Sequence, residues 1–419
     1  MDHTPRFRPV VSSILLVVTL VAGVTACGGS GGHPLAAKPY DAVDEISSNI
    51  PAGDEKADSE KPLEVTVDDD GRITDVSAVD ATGRHVAGEL DADGRRWRST
   101  SPLAAGTHYT VRVSMEDDDG DPGSRTLSFE TATARAKKLL KVTFGPQAGT
   151  YGVGQPITAE LSAPVKDKAS RAVVERALRV RSKPAVTGSW YWVDDKILHY
   201  RPKEYWPAKA TIDVTSGLAG IKVTDTLYGA PSKALKLTTG DRVEAITDAA
   251  AHTMTVKRNG KVINTIPVTT GKPGFSTRNG VKVVLSKEYS VRMRGETIGI
   301  SENSDDSYDL LVYYATRVTW SGEYVHAAPW STGSQGYANV SHGCTGMSTS
   351  LAEWFFNTVR TGDVVQVVGS QGETMTPFDN GFGDWNLSWA KWQQGSALQK
   401  NATPDRSDTI QAARLRPEV

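Results

Sequence analysis

Residues 326–346 read H-A-A-P-W-S-T-G-S-Q-G-Y-A-N-V-S-H-G-C-T-G and hold Cys344, one of two cysteines in the chain. The other, Cys27, closes an N-terminal leader, so Cys344 has no partner for an internal disulfide. In an exported chain such a thiol is either reactive or buried and inert. His342 lies two residues upstream and His326 eighteen upstream, so a returning loop can bring an imidazole to the sulfur. Gly343 removes a side chain beside the thiol and lets a substrate or another backbone approach. The small and polar residues between suit a loop carried on a rigid scaffold. Cys344 therefore reads as a nucleophile. Two other readings stay open, a small core hydrophobe and a zinc site built from His326, His342 and Cys344. The zinc reading lacks the second Cys-x-x-Cys pair or neighbouring carboxylate that such sites bring, so no metal is expected.

Ser341-His342-Gly343-Cys344, with His326 before it and Gly346 after it, resembles the active-site signature of the L,D-transpeptidases. That signature runs His, a spacer, Ser/Thr-His-Gly-Cys, one variable residue and usually Asn. The chain departs from it at Gly346, where Asn is usual, and at Ala327, where Ser is common in the mycobacterial enzymes. The resemblance covers the whole exported part of the chain. It implies a mainly β fold: two immunoglobulin-like sandwiches, a β-rich catalytic domain with one main helix, and a Trp-rich C-terminal extension.

It also implies a function. A peptidoglycan tetrapeptide stem would acylate Cys344 and release D-Ala, and a side-chain amine of a second stem would close a 3→3 cross-link. An L,D-carboxypeptidase using water at the same site, or a non-catalytic wall-binding lipoprotein, are the alternatives. Carbapenem β-lactams would acylate the same cysteine, and no cofactor is implied.

A thiol with an ordinary pKa near ~8.5 is mostly protonated at neutral pH and needs a base. His326 is the first candidate and His342 the second. In the family the backbone carbonyl after the histidine can hold its tautomer, and Ala327 still has one. Backbone N–H groups of Gly343 and Cys344 are natural donors to an oxyanion. Tyr308 and Met293 fall where relatives place a lid tyrosine and methionine, so Met293 to Tyr308 is the expected flap. Trp330, Asn339 and Ser341 are expected to contact substrate.

The rest of the chain fits around this stretch. Its 419 residues suggest about three domains. A net charge of −2 carries no basic bias towards nucleic acid. Arg6 and Arg8 precede a largely apolar run from Val10 to Val24, and Val24-Thr25-Ala26-Cys27 resembles a bacterial lipoprotein cleavage box. The expectation is a signal peptide over 1–26 and a diacylglycerol on Cys27, anchoring the protein at the extracytoplasmic face of the cell membrane. Residues 27–60, rich in Gly, Ser, Ala and Asp, read as a flexible tether.

Over 61–137, Leu63, Val65 and Val67, then Tyr109, Val111 and Val113, then Leu127 and Phe129 alternate like strands of a first sandwich. The acidic run from Glu116 to Asp121 misses calcium-loop spacing and reads as a hairpin tip. Over 138–240 the alternation of Leu140, Val142 and Phe144, and of Ile157, Ala159 and Leu161, suggests a second sandwich with Trp190 and Trp192 in its core. The catalytic domain is placed at 241–370. There Asn259-Gly260 supplies a tight hairpin turn, and Ser350 with Glu353 suggests a capping box. That helix would start just after Cys344 and favour its thiolate. In 371–419, Trp385, Trp389 and Trp392 share one face of a short helix that docks on the preceding domain, with disorder expected from Asn401.

Overall fold

A computed structural model describes residues 38–399, apart from 52, 54, 69, 70 and 134–137. The leader, Cys27 and the tail from Asn401 lie outside the described residues.

The architecture is mostly β, three β units in series. In the first, strands Tyr40–Asp41, Pro122–Glu130, His108–Glu116 and Arg72–Asp80 form one sheet. The facing sheet orders Ile46–Ser48, Glu64–Val67, Arg96–Ser99 and Gly88–Leu90. Leu63, Val65, Tyr109, Val111 and Val113 are buried between them, on alternate residues as the period of a strand requires. The acidic run is a solvated turn between two long antiparallel strands.

The described residues between 40 and 60 do not form a tether. Tyr40–Asp41 pairs with Gly123–Ser124, Ile46–Ser48 pairs with Val65–Val67, and Ala42, Ile46 and Ala57 are buried. Few but well-placed apolar side chains complete both sheet edges, which composition averaged over the segment cannot reveal.

The second unit packs the sheet Val142–Gly145, Ile157–Leu161, Ile197–Pro202 and Gly188–Trp192 against a second. That second sheet orders Gly149–Tyr151, Leu235–Thr239, Thr211–Ser216 and Leu178–Lys183. Trp190 and Trp192 lie in its core. Helix α1, Lys168–Ala177, was not anticipated from the sequence. Asp167 caps it by accepting the Ser170 N–H at 2.8 Å, and its buried residues are Ser170, Ala172, Val174 and Glu175, a weak apolar periodic signal.

In the third unit a five-stranded sheet orders Lys261–Pro267, Thr253–Arg258, Val243–Asp248, Val364–Val368 and Gly280–Val283. A four-stranded sheet orders Ser286–Arg294, Asp309–Arg317, Tyr324–Ala327 and Thr345–Met347. Helix α2, Thr349–Thr358, buries Ala352 and Phe355 in the core shared by both sheets. Asn259 and Gly260 both adopt positive φ, the geometry of the tight hairpin read from their sequence.

Two seams join this unit to the second sandwich. Gly152 and Gly154 donate to the carbonyls of Thr361 and Gly362 at 2.9 Å each. A Cβ on Gly152 would sit 2.1 Å from the Asp363 nitrogen, so only glycine permits this approach. The C-terminal segment makes the other seam. Asn386 accepts the Val281 N–H and donates to the Val281 carbonyl, standing in for a strand at the sheet edge.

Trp385, Trp389 and Trp392 do not share one helix. Asp384–Asn386 is a single 3-10 turn, Leu387 is extended, and Ser388 caps a separate helix α3, Trp389–Gln394. The three rings nevertheless converge on the Arg201 guanidinium of the second sandwich at 4.8, 5.6 and 4.6 Å.

Candidate active site

The cavity of the third unit, about 640 Å³, opens beside the four-stranded sheet. Its floor is the parallel pair Tyr324–Ala327 and Thr345–Met347, in which His326 stands opposite Gly346. Cys344 immediately precedes the second of these strands, and both His326 and Cys344 line the cavity.

The His326 ring is buried, with Nδ1 2.8 Å from the carbonyl oxygen of Ala327. A carbonyl only accepts, so Nδ1 carries the proton and Nε2 is left as the basic nitrogen. Burial holds His326 below the ordinary histidine pKa, and the Ala327 carbonyl opposes that only in part. The ring is therefore neutral at pH 7.

The Cys344 sulfur points to the Gly322 carbonyl at 3.6 Å, and among the described residues no hydrogen bond joins it to His326. Burial pushes the thiol up to about 12, helped by the Glu323 charge and opposed by the Tyr324 backbone and Lys282. This corrects the expectation of a thiolate favoured by a helix start. Ser348, not Ser350, caps α2, and the strand Thr345–Met347 lies between the sulfur and that helix. The groups that act on the thiol are instead burial, the Tyr324 backbone, Glu323 and Lys282.

His342 is turned elsewhere. Its ring stacks edge-on to Phe275 at 4.7 Å and tilted to Tyr308 at 5.0 Å. Its Nε2 lies 3.5 Å from Asp306, close enough for ionic attraction but long for a hydrogen bond. Asp306 in turn pairs with Lys272. Burial and the Lys272 charge lower His342, with Asp306 opposing.

The loop is braced from within. Ser341 Oγ donates to the Cys344 carbonyl at 2.6 Å and accepts the Gly343 N–H at 3.2 Å, while Thr277 Oγ1 donates to the Gly343 carbonyl at 2.8 Å. Gly343 has φ +121, a conformation that favours glycine. Met293 lies near the end of the long strand Ser286–Arg294 of the overhanging hairpin and packs in the same apolar cluster as Cys344. Tyr308 follows a segment with the single turn Gly295–Ile298 and lines the cavity, raised by burial and by the nearby thiol. Trp330 is 55% exposed and tilted 6.2 Å from His326.

Asn339 is not among the residues lining the cavity. Its amide accepts the Thr270 N–H, donates to the Ala249 carbonyl and meets His252, so it holds the loop rather than a substrate. The sequence reading missed the charged wall behind the thiol. Lys282 is wholly buried with Nζ 2.5 Å from Glu323 Oε2, and Arg278 Nη1 meets Glu323 Oε1 at 3.1 Å. A lysine between the apolar Val281 and Val283 looks like a solvent-facing position, and only the pairing with Glu323 makes its burial tolerable.

Comparison with known proteins bears on the whole chain. Residues 54–222 match a bacterial Ig domain and 242–367 an L,D-transpeptidase catalytic domain. L,D-transpeptidase 2 of Mycobacterium tuberculosis (strain CDC 1551 / Oshkosh) is 32% identical over 400 residues, spanning 94% of this chain and 96% of its own. The chain belongs to the L,D-transpeptidase family. L,D-transpeptidase 1 of M. tuberculosis (strain ATCC 25618 / H37Rv) is 41% identical over 247 residues, 58% of this chain and 92% of that one. A solved structure of LD transpeptidase LdtMt1 in complex with imipenem is 39% identical, covering 55% of this chain and all of that one with TM-score 0.48. The L,D-transpeptidase fold and activity expected from the signature around Cys344 thus hold for this enzyme.

Proposed function

We propose that this L,D-transpeptidase builds 3→3 peptidoglycan cross-links through an acyl-enzyme on Cys344, with His326 as the single general base and acid. The observation that carries the reading is the neutral, tautomer-fixed His326 lining one cavity with Cys344, which stands just before the adjoining parallel strand, under an overhanging hairpin. Substrate entry turns the sulfur from the Gly322 carbonyl towards Nε2. His326 takes the proton as sulfur attacks the carbonyl of the third stem residue, a diamino acid. The oxyanion is held by backbone donors at Gly343 and Cys344, the former released from Ser341 Oγ, with Tyr308 closing above.

Collapse breaks the bond to D-Ala, whose nitrogen leaves with the proton from His326. The side-chain amine of a second stem then attacks the thioester, giving its proton to His326 and hence back to sulfur. A thiol held near 12 does not ionise by itself, so its proton is transferred only as the attack develops. His342 positions Tyr308 and the loop and takes no proton from sulfur.

β-Lactams of the carbapenem class acylate the same atom. The leader up to Cys27 directs lipidation at that cysteine, and the lipid holds the enzyme at the outer face of the membrane. The two sandwiches then space the active site away from the lipid.

Incubation with a tetrapeptide donor and intact-mass measurement tests the core of this. A thioester adduct with loss of D-Ala is expected, absent in Cys344→Ala. An adduct that survives that substitution sinks the assignment. Muropeptide products with an added amine acceptor separate cross-linking from hydrolysis. Cys27→Ala should release the protein from membranes.

A further inference from the structure

The wall behind the thiol is an ordered charge relay of three residues. Glu323, with its side chain 8% exposed, accepts the Arg278 backbone N–H and Nη1 on Oε1, both at 3.1 Å, and Lys282 Nζ on Oε2. Its acceptor positions are thereby committed to the protein. Lys282, whose side chain is 1% exposed, balances the Glu323 charge from the interior. Arg278 is then held in place without having its charge cancelled.

Arg278 lines the cavity and its side chain is 44% exposed. Nη1 also reaches Ser321 Oγ at 3.4 Å. Among the described residues, Nε and Nη2 meet no protein acceptor. Glu373, exposed at the rim of the same cavity, forms no ion pair with Arg278 among the described residues. A guanidinium fixed by one edge and open at the other is pre-set for a two-point contact with a planar anion.

We infer that Arg278, positioned by Glu323 and Lys282, anchors a carboxylate of the bound stem peptide in the cavity beside Cys344. This rests on the proposed transpeptidase reading and adds a specificity-determining residue to it. A tetrapeptide stem carries free carboxylates at the second residue, at the far end of the diamino acid and at the terminal D-Ala. All three present the chemistry Arg278 would recognise.

The test uses the full chain and four tetrapeptide donors, one with all carboxylates free and three each amidated at a single carboxylate. The rate of Cys344 acylation is followed against donor concentration. Wild type should lose about 10- to 100-fold in kcat/KM on amidation of one carboxylate, mostly through KM. The donor that suffers identifies which carboxylate is bound. Arg278→Gln should lose a similar factor with the free donor and no longer distinguish it from that amide. Arg278→Lys should recover part of the loss.

Alkylation of Cys344 by iodoacetamide, an uncharged probe, should proceed equally in wild type and Arg278→Gln, separating anchoring from damage to the site. Equal use of all four donors by wild type, or an unchanged preference in Arg278→Gln, overturns the inference while leaving the transpeptidase reading intact. A slowed iodoacetamide reaction in the variant also overturns it, by showing a structural role. No acyl-enzyme with any donor removes both.

Discussion

His326 Nδ1 lies 2.8 Å from the carbonyl oxygen of Ala327, the residue next to it in the same strand. The tautomer is thus set by backbone, a contact that needs no side chain at Ala327. His326→Ala should lower acylation on the order of 10²-fold or more. Because burial depresses His326, the acid limb of the acylation profile should fall below 6.5, the ordinary value. A limb near the usual thiol range would show that ionisation of sulfur, and not of the imidazole, controls the rate. His342→Ala should cost less than His326→Ala, and a larger loss would reverse their roles.

Gly346 occupies the signature position where Asn is usual, and the packing around it has closed over the absent side chain. A Cβ there would stand 2.9 Å from Ala328 Cβ and 3.2 Å from Thr269 Cγ2. Ala328 is buried, so the contact has little room to relax. Gly346→Asn should therefore destabilise by about 1–3 kcal/mol, the usual range for overpacking. Adding Ala328→Gly should recover much of that loss. Chemical denaturation of both variants checks it, and a Gly346→Asn protein as stable as wild type would refute the packing argument.

Asp363 sits at the junction of the catalytic unit with the second sandwich. Its Oδ2 accepts the Arg360 N–H at 2.8 Å while Oδ1 finds no partner among the described residues. Burial raises its pKa to about 7. The folded state therefore keeps a proton that the unfolded chain gives up near its ordinary value. This contribution is fully present below the unfolded carboxylate pKa and is lost as pH rises through about 7. Its size is on the order of 4 kcal/mol at most. Asp363→Asn should flatten that part of the stability profile, seen as a difference between the two proteins' denaturation midpoints from pH 4 to 8. Parallel profiles would mean the carboxyl is ionised in the fold.

Trp392 is fully buried, donates through Nε1 to the Ser189 carbonyl at 2.9 Å and lies under the Arg201 guanidinium. Trp392→Ala should cost about 3–5 kcal/mol. The loss should appear in the second sandwich, as faster hydrogen exchange of its amides, before it appears at Cys344. Unchanged exchange in strand Gly188–Trp192 would contradict the docking role.

Much of the fold could be read along the chain because strand burial follows a period of two. Val65 and Val67, Tyr109 to Val113, and Ile157 to Leu161 alternate in sequence and are buried in the same alternation. The hairpin at Asn259-Gly260 was legible because positive φ restricts the residues that can stand there. The strands at 40–48 and helix α1 were not, since their apolar residues are few and acquire meaning only from the partner they pack against.

The same division runs through the active site. Local sequence determined that Cys344 is preceded at two and eighteen residues by histidines and followed by a glycine, because motifs of that kind are properties of neighbouring residues. Only the tertiary structure decided that His326 is the neutral, carbonyl-held ring while His342 stacks between Phe275 and Tyr308, that the thiol is protonated, and that Asn339 braces the loop. It also decided that Lys282, Glu323 and Arg278, separated along the chain, meet behind the sulfur. Protonation and pairing depend on burial and on charges brought together through space, and neither quantity exists until the chain has folded.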